Sequence, residues 1–439
     1  MHNRAKFGGL FFFLFLLSAS VLLAAETRAR NIILMIGDGM GLSQMSIDSY
    51  YFRFILKREP AFAQVMNAGR TGFMLHHPAS GLVTDSAAGA TAFASGIKTL
   101  NGQIGIDPEG NAVETILEIA KRHGKKTGLV STVPSFDATE SAFTAHVKSR
   151  KDFGPIIEWT FLFTQPDVIL GPEAGEWAED WKLDQGAINQ TAAANGYKVL
   201  NHGADLTRIE PGRKTYGAFK VETPYQDYLP PAQHDSVTLP EMARAAIETL
   251  SHSENGFFLM VEGSAIDLRS HANDAGGILR EMADFDRAIG IAYDFARTHD
   301  DTLLLITADH ETGGMAMIKG ASEATLAAVG AQREPLYKVR ARLGKNPSVE
   351  QIRTELSKAT QLKLTDQEAE YIHTNWEKNS VKACGEVLSK YYKIGFESTD
   401  HTAAPVALIG FGPGSEACSG WRDNTDVFSI MLRAGGMTR

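Results

Sequence analysis

Short apolar runs that break off at Gly, Asp or Glu and give way to helical patterns recur along this chain, and that rhythm constrains the fold more than any other feature. Asn31–Ile36 ends in Gly37-Asp38-Gly39-Met40-Gly41, and Gly81–Thr84 ends in Asp85-Ser86. Thr127–Ser131, Val168–Leu170, Phe257–Val261, Leu303–Thr307 and Val406–Gly410 also read as strands. Between them, Ala112–His123, Leu239–His252 and Ile278–Arg297 carry apolar residues at helical spacing. This alternation predicts an α/β fold with a doubly wound, mostly parallel central sheet and helices on both faces. Ligands of such sheets collect beyond the carboxyl ends of the strands.

The 439 residues are read as a leader, 1–25, followed by one catalytic domain, 26–439. His2, Arg4 and Lys6 precede an apolar run from Phe7 to Ala25, the shape of a secretory signal peptide. The chain is therefore expected to be exported, to the periplasm or the medium, with no stable membrane association after cleavage; an uncleaved anchor is the alternative. From about 172 to 231, Gly, Pro and aromatics mix irregularly, and from about 319 to 398 the strand rhythm gives way to charged amphipathic helices such as Ser348–Lys358 and Thr365–Lys378. The first stretch is expected to be peripheral and the second an inserted helical cap. A net charge of -9 gives no general attraction to nucleic acid, so an anionic substrate must be captured locally. Cys384 and Cys418 are compatible with a disulfide or with two free thiols.

Acids and histidines gather where the runs end: Asp38 after one, Asp85-Ser86 after another, Glu262 with Asp267 and His271 after a third, Asp309-His310 after a fourth, and His401 before the last. A single Asp at a strand end has a plain explanation, since Asp caps helices well. Repetition at several strand ends points further, because carboxylates crowded at one sheet edge repel unless cations neutralise them. Carboxylates with imidazoles suit zinc, and oxygen-only donors suit magnesium. Ser86 opens a run of small residues that enters a helix at once, so it reads either as a cap or as a nucleophile at a site that favours anions. No Gly-x-Ser-x-Gly elbow surrounds it, which weighs against a hydrolase triad.

The segment Val83-Thr84-Asp85-Ser86-Ala87-Ala88-Gly89-Ala90-Thr91-Ala92 resembles the nucleophile segment of bacterial alkaline phosphatases. Ile36–Gly41, Lys98–Gly102, Asp137-Ala138-Thr139, His146–Arg150, Glu262-Gly263 with Asp267 and His271, Thr307–Gly314, His401–Val406 and Asp423–Asp426 resemble further motifs of that family, in order. The resemblance implies two zinc ions and one magnesium. One zinc would be held by Asp267, His271 and His401, and the other by Asp38, Asp309 and His310. Magnesium would take Asp38, Thr139 and Glu262, with Asp137 counted in the same metal region. Ser86 would be the nucleophile, and Arg150 would clamp phosphate through its planar fork.

The implied reaction is hydrolysis of small phosphomonoesters through a phosphoserine, with broad tolerance of the leaving alcohol; a homodimer is left open. Leu268 departs from the family pattern, in which Lys, His or Trp stands at that position, and this puts magnesium affinity and turnover in question. A phosphodiesterase of the same superfamily is the nearest rival, and Arg150 with the long match around Ser86 argues against it. A sulfatase would need a Cys/Ser-x-Pro-x-Arg segment, which is absent. An exported binding protein without turnover would have no use for Ser86.

Overall fold

The computed structural model describes residues 28–222 and 236–439. The expected leader and the end of the irregular stretch lie outside the described residues. Among the described residues, fifteen strands follow in chain order: β1 (Asn31–Ile36), β2 (Arg70–Leu75), β3 (Lys126–Ser131), β4 (Val168–Pro172), β5 (Lys198–Leu200), β6 (Thr215–Val221), β7 (Ser236–Val237), β8 (Phe257–Glu262), β9 (Thr302–Thr307), β10 (Glu311–Thr312), β11 (Met315–Met317), β12 (Ile394–Phe396), β13 (His401–Thr402), β14 (Val406–Phe411) and β15 (Gly420–Asp423). Eleven form one sheet in the order β15-β2-β14-β9-β1-β8-β3-β4-β6-β5, with β7 also on β6. Every pairing in it is parallel except those of β14, which runs against both β2 and β9.

Each residue of β1, β8 and β9 is buried, because helices cover both faces of the sheet centre. The 22-residue helix Ala275–Ala296 is the longest of these covers. Gly81–Thr84, expected as a strand, is a loop: Gly81 has φ +89° and Leu82 is 74% exposed, so the apolar pair Leu82-Val83 lies at the surface. The strand that feeds this region is β2. The helix expected from Ala112 starts at Ile116, where Thr115 and Glu118 close a capping box. Residues 365–378 divide at Asn375 into Asp366–Thr374 and Trp376–Tyr392.

The register decides where chemistry can occur. Ser131, Glu262, Ile36 and Thr307 are ladder partners across β3, β8, β1 and β9, so the turns after these strands leave the sheet at one level. Because β14 is antiparallel, the residues before it reach that same edge, and His401 therefore joins Asp38, Asp309 and Asp267. Two short pairs, β10 with β13 and β11 with β12, tie the return from the helical segment to the strand-end loops. Cys384 and Cys418 are both buried free thiols.

Candidate active site

The turn after β1 brings the chain back on itself beside Asp267. Gly39 has φ +70°, and a Cβ there would stand 2.9 Å from the Asp267 Cα, so this approach requires glycine. The Gly39 N–H and the His310 N–H both donate to Asp309 Oδ1, at 3.2 and 3.0 Å. Asp309 Oδ2 and Asp38 Oδ1 are left buried and without hydrogen-bond partners. His310 Nε2 lies 3.2 Å from the first and 3.5 Å from the second, and 3.3 Å from Ser86 Oγ.

Ser86 is the first residue of the helix Ser86–Ser95, but the cap is Asp85, whose side chain accepts from the Ala88 N–H at 3.0 Å. The Ser86 hydroxyl is thus not used in capping, and it faces the donor cluster from a helix start that favours anions. Asp85 also accepts from the Gly102 N–H at 2.9 Å and lies 3.5 Å from Arg150 Nη1. Arg150 Nη2 reaches Asp137 Oδ1 at 3.0 Å. Burial works against the guanidinium charge, but Asp137 and Asp85 outweigh it and raise its pKa.

A second group contains Asp267, His271 and His401. His271 Nε2 stands 3.1 Å from both His401 Nε2 and Asp267 Oδ2, and His401 Nε2 is 3.7 Å from Asp267 Oδ1. The opposite ring nitrogens are occupied by backbone: His271 Nδ1 pairs with the Thr399 carbonyl, and His401 Nδ1 with the Thr84 carbonyl at 2.8 Å. A ring that donates from Nδ1 turns an Nε2 lone pair inward, the tautomer a metal requires. Thr312 Oγ1 donates to Asp267 Oδ1 and lies 3.2 Å from His310 Nδ1, linking the two groups.

The donors fit metal ions. Ligands ~2.0–2.1 Å from one tetrahedral zinc stand about 3.3 Å apart, and the spacings in both groups bracket that value. Asp267, His271 and His401 offer three converging donor atoms; Asp38, Asp267 and His310 offer another three, with Asp309 Oδ2 beside them. In the metal-free protein, burial and then neighbouring acids raise Asp38 well above the carboxylate range and Asp309 to about 8. Burial also raises Glu262 and lowers His310 well below the usual range. Burial opposes ionisation of Asp267, but the hydrogen bond and charge of His271 prevail and hold its pKa low. His271, in turn, is raised to about 9 by Asp267 against the effect of burial.

Thr139 Oγ1 is buried without a partner, and Glu262 Oε2 accepts from Ser131 Oγ at 3.0 Å. Asp137 caps nothing through its side chain and is engaged by Arg150. All of these residues occupy one sheet edge, beneath a cavity of about 730 Å³ lined by Asp38, Ser86, Asp137, Arg150, His271 and His401, among others. Leu268 is part of its wall. Phe153 and Trp181, stacked at 5.0 Å, with Lys151 and Lys182, form a flank that sequence reading missed. Thr84 and Thr399 were missed too, because they act through backbone carbonyls, which any residue type supplies. His146, which opens the motif that ends in Arg150, bonds Glu118 and the Gly105 carbonyl.

An α/β sheet that gathers imidazoles, buried unpaired carboxylates, a free serine and an arginine at one carboxyl edge defines a class: the metal-dependent hydrolases that act on anionic esters. Within that class, the chain belongs to the alkaline phosphatase family, whose sequence model matches residues 29–159 and 166–437. It is similar to alkaline phosphatase 4 of Bacillus subtilis, 31% identical over 93% of this chain and 89% of that protein. It is also similar to alkaline phosphatase of Escherichia coli, 30% identical over 94% and 87%. Its fold resembles that of Thermus thermophilus alkaline phosphatase, with a TM-score of 0.84 and 26% identity over 94% of this chain and 92% of that one. The chain is accordingly a phosphatase, and its family hydrolyses phosphomonoesters with metal ions.

Proposed function

We propose that this phosphatase works through a phosphoserine on Ser86, with two zinc ions and one magnesium. One zinc would be held by Asp267, His271 and His401, the other by Asp38, Asp309 and His310; Asp38, Thr139 and Glu262 would hold magnesium, with Asp137 close by. Bound there, the ions would supply Lewis-acid charge to phosphoryl oxygens and lower the pKa of nearby hydroxyl groups. The observation that carries the reading is the Ser86 hydroxyl, excluded from capping by Asp85 and set 3.3 Å from His310 Nε2 among unpaired carboxylate oxygens.

Ser86 Oγ attacks phosphorus, the P–O bond to the alcohol breaks in line, and the alcohol leaves. Water then attacks the phosphoserine, releasing inorganic phosphate and restoring the serine. Arg150 binds two phosphoryl oxygens through its fork in both halves. Recognition centred on phosphate leaves the alcohol weakly selected, so small phosphomonoesters of many kinds are substrates. The chain is exported, as its first 25 residues imply.

Trapping with labelled phosphate at low pH, followed by peptide mapping, tests the covalent step. The label should sit on Ser86, and Ser86→Ala should lose both the label and most turnover. An active enzyme labelled at another residue would overturn the assignment.

A further inference from the structure

Next to Thr139 lies a carboxylate that the reading above does not use. Glu140 is fully buried, and both of its oxygens lack a hydrogen-bond partner. Its side chain lies against Glu262, itself 1% exposed, and its other charged neighbour is Asp137, also an acid. Arg150, the cation that reaches Asp137, is shared between Asp137 and Asp85. The nearby hydroxyls do not offset this charge: Ser131 Oγ approaches Glu140 but donates to Glu262 Oε2 and meets Ser264 Oγ at 2.8 Å, and no well-formed hydrogen bond holds Thr139 Oγ1.

Two carboxylates in contact inside a dry interior require a cation or a shared proton. The buried Thr139 hydroxyl, which approaches Glu262 without a well-formed hydrogen bond, adds a neutral oxygen donor to the two acids, and carboxylates with a hydroxyl are the composition of a cation site. Oxygen-only donors select a hard divalent ion.

We propose that Glu140 is a ligand of the oxygen-only metal position, joining Asp38, Thr139 and Glu262 there as a third carboxylate. The inference rests on the magnesium assignment above and adds a residue that the resemblance does not assign. A third carboxylate increases the charge facing the ion, which strengthens binding of Mg²⁺ or Mn²⁺.

Zinc-loaded wild type and Glu140→Gln are titrated with Mg²⁺ by calorimetry, with zinc content measured in parallel. Glutamine keeps the size of Glu140 and can donate to Glu262 as a neutral acid would, so the substitution removes only the charge and the second anionic oxygen. Wild type should take one Mg²⁺ per chain, and Glu140→Gln should bind it about 10–100-fold more weakly while keeping its zinc. Equal affinity in the two proteins would overturn the Glu140 role and leave the magnesium assignment standing. No third ion in wild type would overturn both. Should Glu140→Gln fail to fold, pulsed electron paramagnetic resonance of Mn²⁺-loaded wild type carrying ¹³C-carboxyl glutamate decides: two glutamate couplings support the proposal, and one refutes it.

Discussion

Arg150 enters the site already paired, and this shapes what its loss should do. Asp137 at 3.0 Å and Asp85 at 3.5 Å hold the guanidinium over the cavity before any phosphate arrives. Asp85 is itself fixed by the Ala88 and Gly102 N–H groups, so the arginine is oriented by the helix that carries Ser86. Arg150→Ala should still form phosphoserine, because the attacking oxygen is untouched. It should lose about 2–4 kcal/mol of transition-state binding, roughly 30- to 700-fold in kcat/KM. Inhibition by inorganic phosphate should weaken with it. Arg150→Lys keeps the charge and loses the fork, so it should fall between the two. Steady-state kinetics with phosphate as inhibitor checks this; unchanged phosphate inhibition in Arg150→Ala would remove Arg150 from the phosphate site.

At the scale of elements, the tight turns after the strands set the geometry. Gly39→Ala forces a left-handed residue to carry a side chain, at about 1–2 kcal/mol for the conformation alone, and drives its Cβ into Asp267. Stability in urea and zinc content should fall together, since Asp267 belongs to both donor groups; a variant that keeps both would show that this turn does not position the ligands. The sequence made most of these elements visible, because β1, β8 and β9 are apolar through their centres and end at or two residues before an acid. It misled at Gly81–Thr84, where apolar side chains lie in solvent beside the site. It concealed β2, whose exposure alternates along an outer part of the sheet, β5 and β6, which lie within an irregular stretch, and the two-residue β7. Acidic and imidazole donors were legible because each is tied to a strand end. Glu140 and the Phe153–Trp181 flank were not, since only folding brings a helix interior and a distant loop against the cluster.

Across the whole molecule, the sheet edge is a store of charge that the fold alone does not neutralise, and its pH response follows. Asp309 titrates at about 8 in the folded, metal-free protein, far above an unfolded aspartate near 4. The folded state therefore binds the extra proton, and stability falls as pH rises between those two values. Burial and neighbouring acids raise Asp38 in the same direction. His271, raised to about 9, stabilises the fold fully below its unfolded value near 6.5, and that contribution is lost as pH climbs through 9. The depressed Asp267 acts oppositely, but its window lies in strong acid, well below these. His310, depressed by burial, also acts oppositely, with a window that closes near its unfolded value of about 6.5; from pH 7 to pH 9, then, the remaining shifts at the strand ends have the same sign. Chelated protein should melt at progressively lower temperature across this interval. Zinc and magnesium compete with protons for the same oxygens and nitrogens, so their binding strengthens as pH rises. The loaded enzyme should consequently show a smaller decline, or a rise, and the gap between the two melting curves should widen toward pH 9. Calorimetric melting of chelated and reloaded protein at matched ionic strength measures that gap. A gap that stays constant from pH 7 to pH 9 would mean that the carboxylates at the strand ends are not the groups that hold the metals.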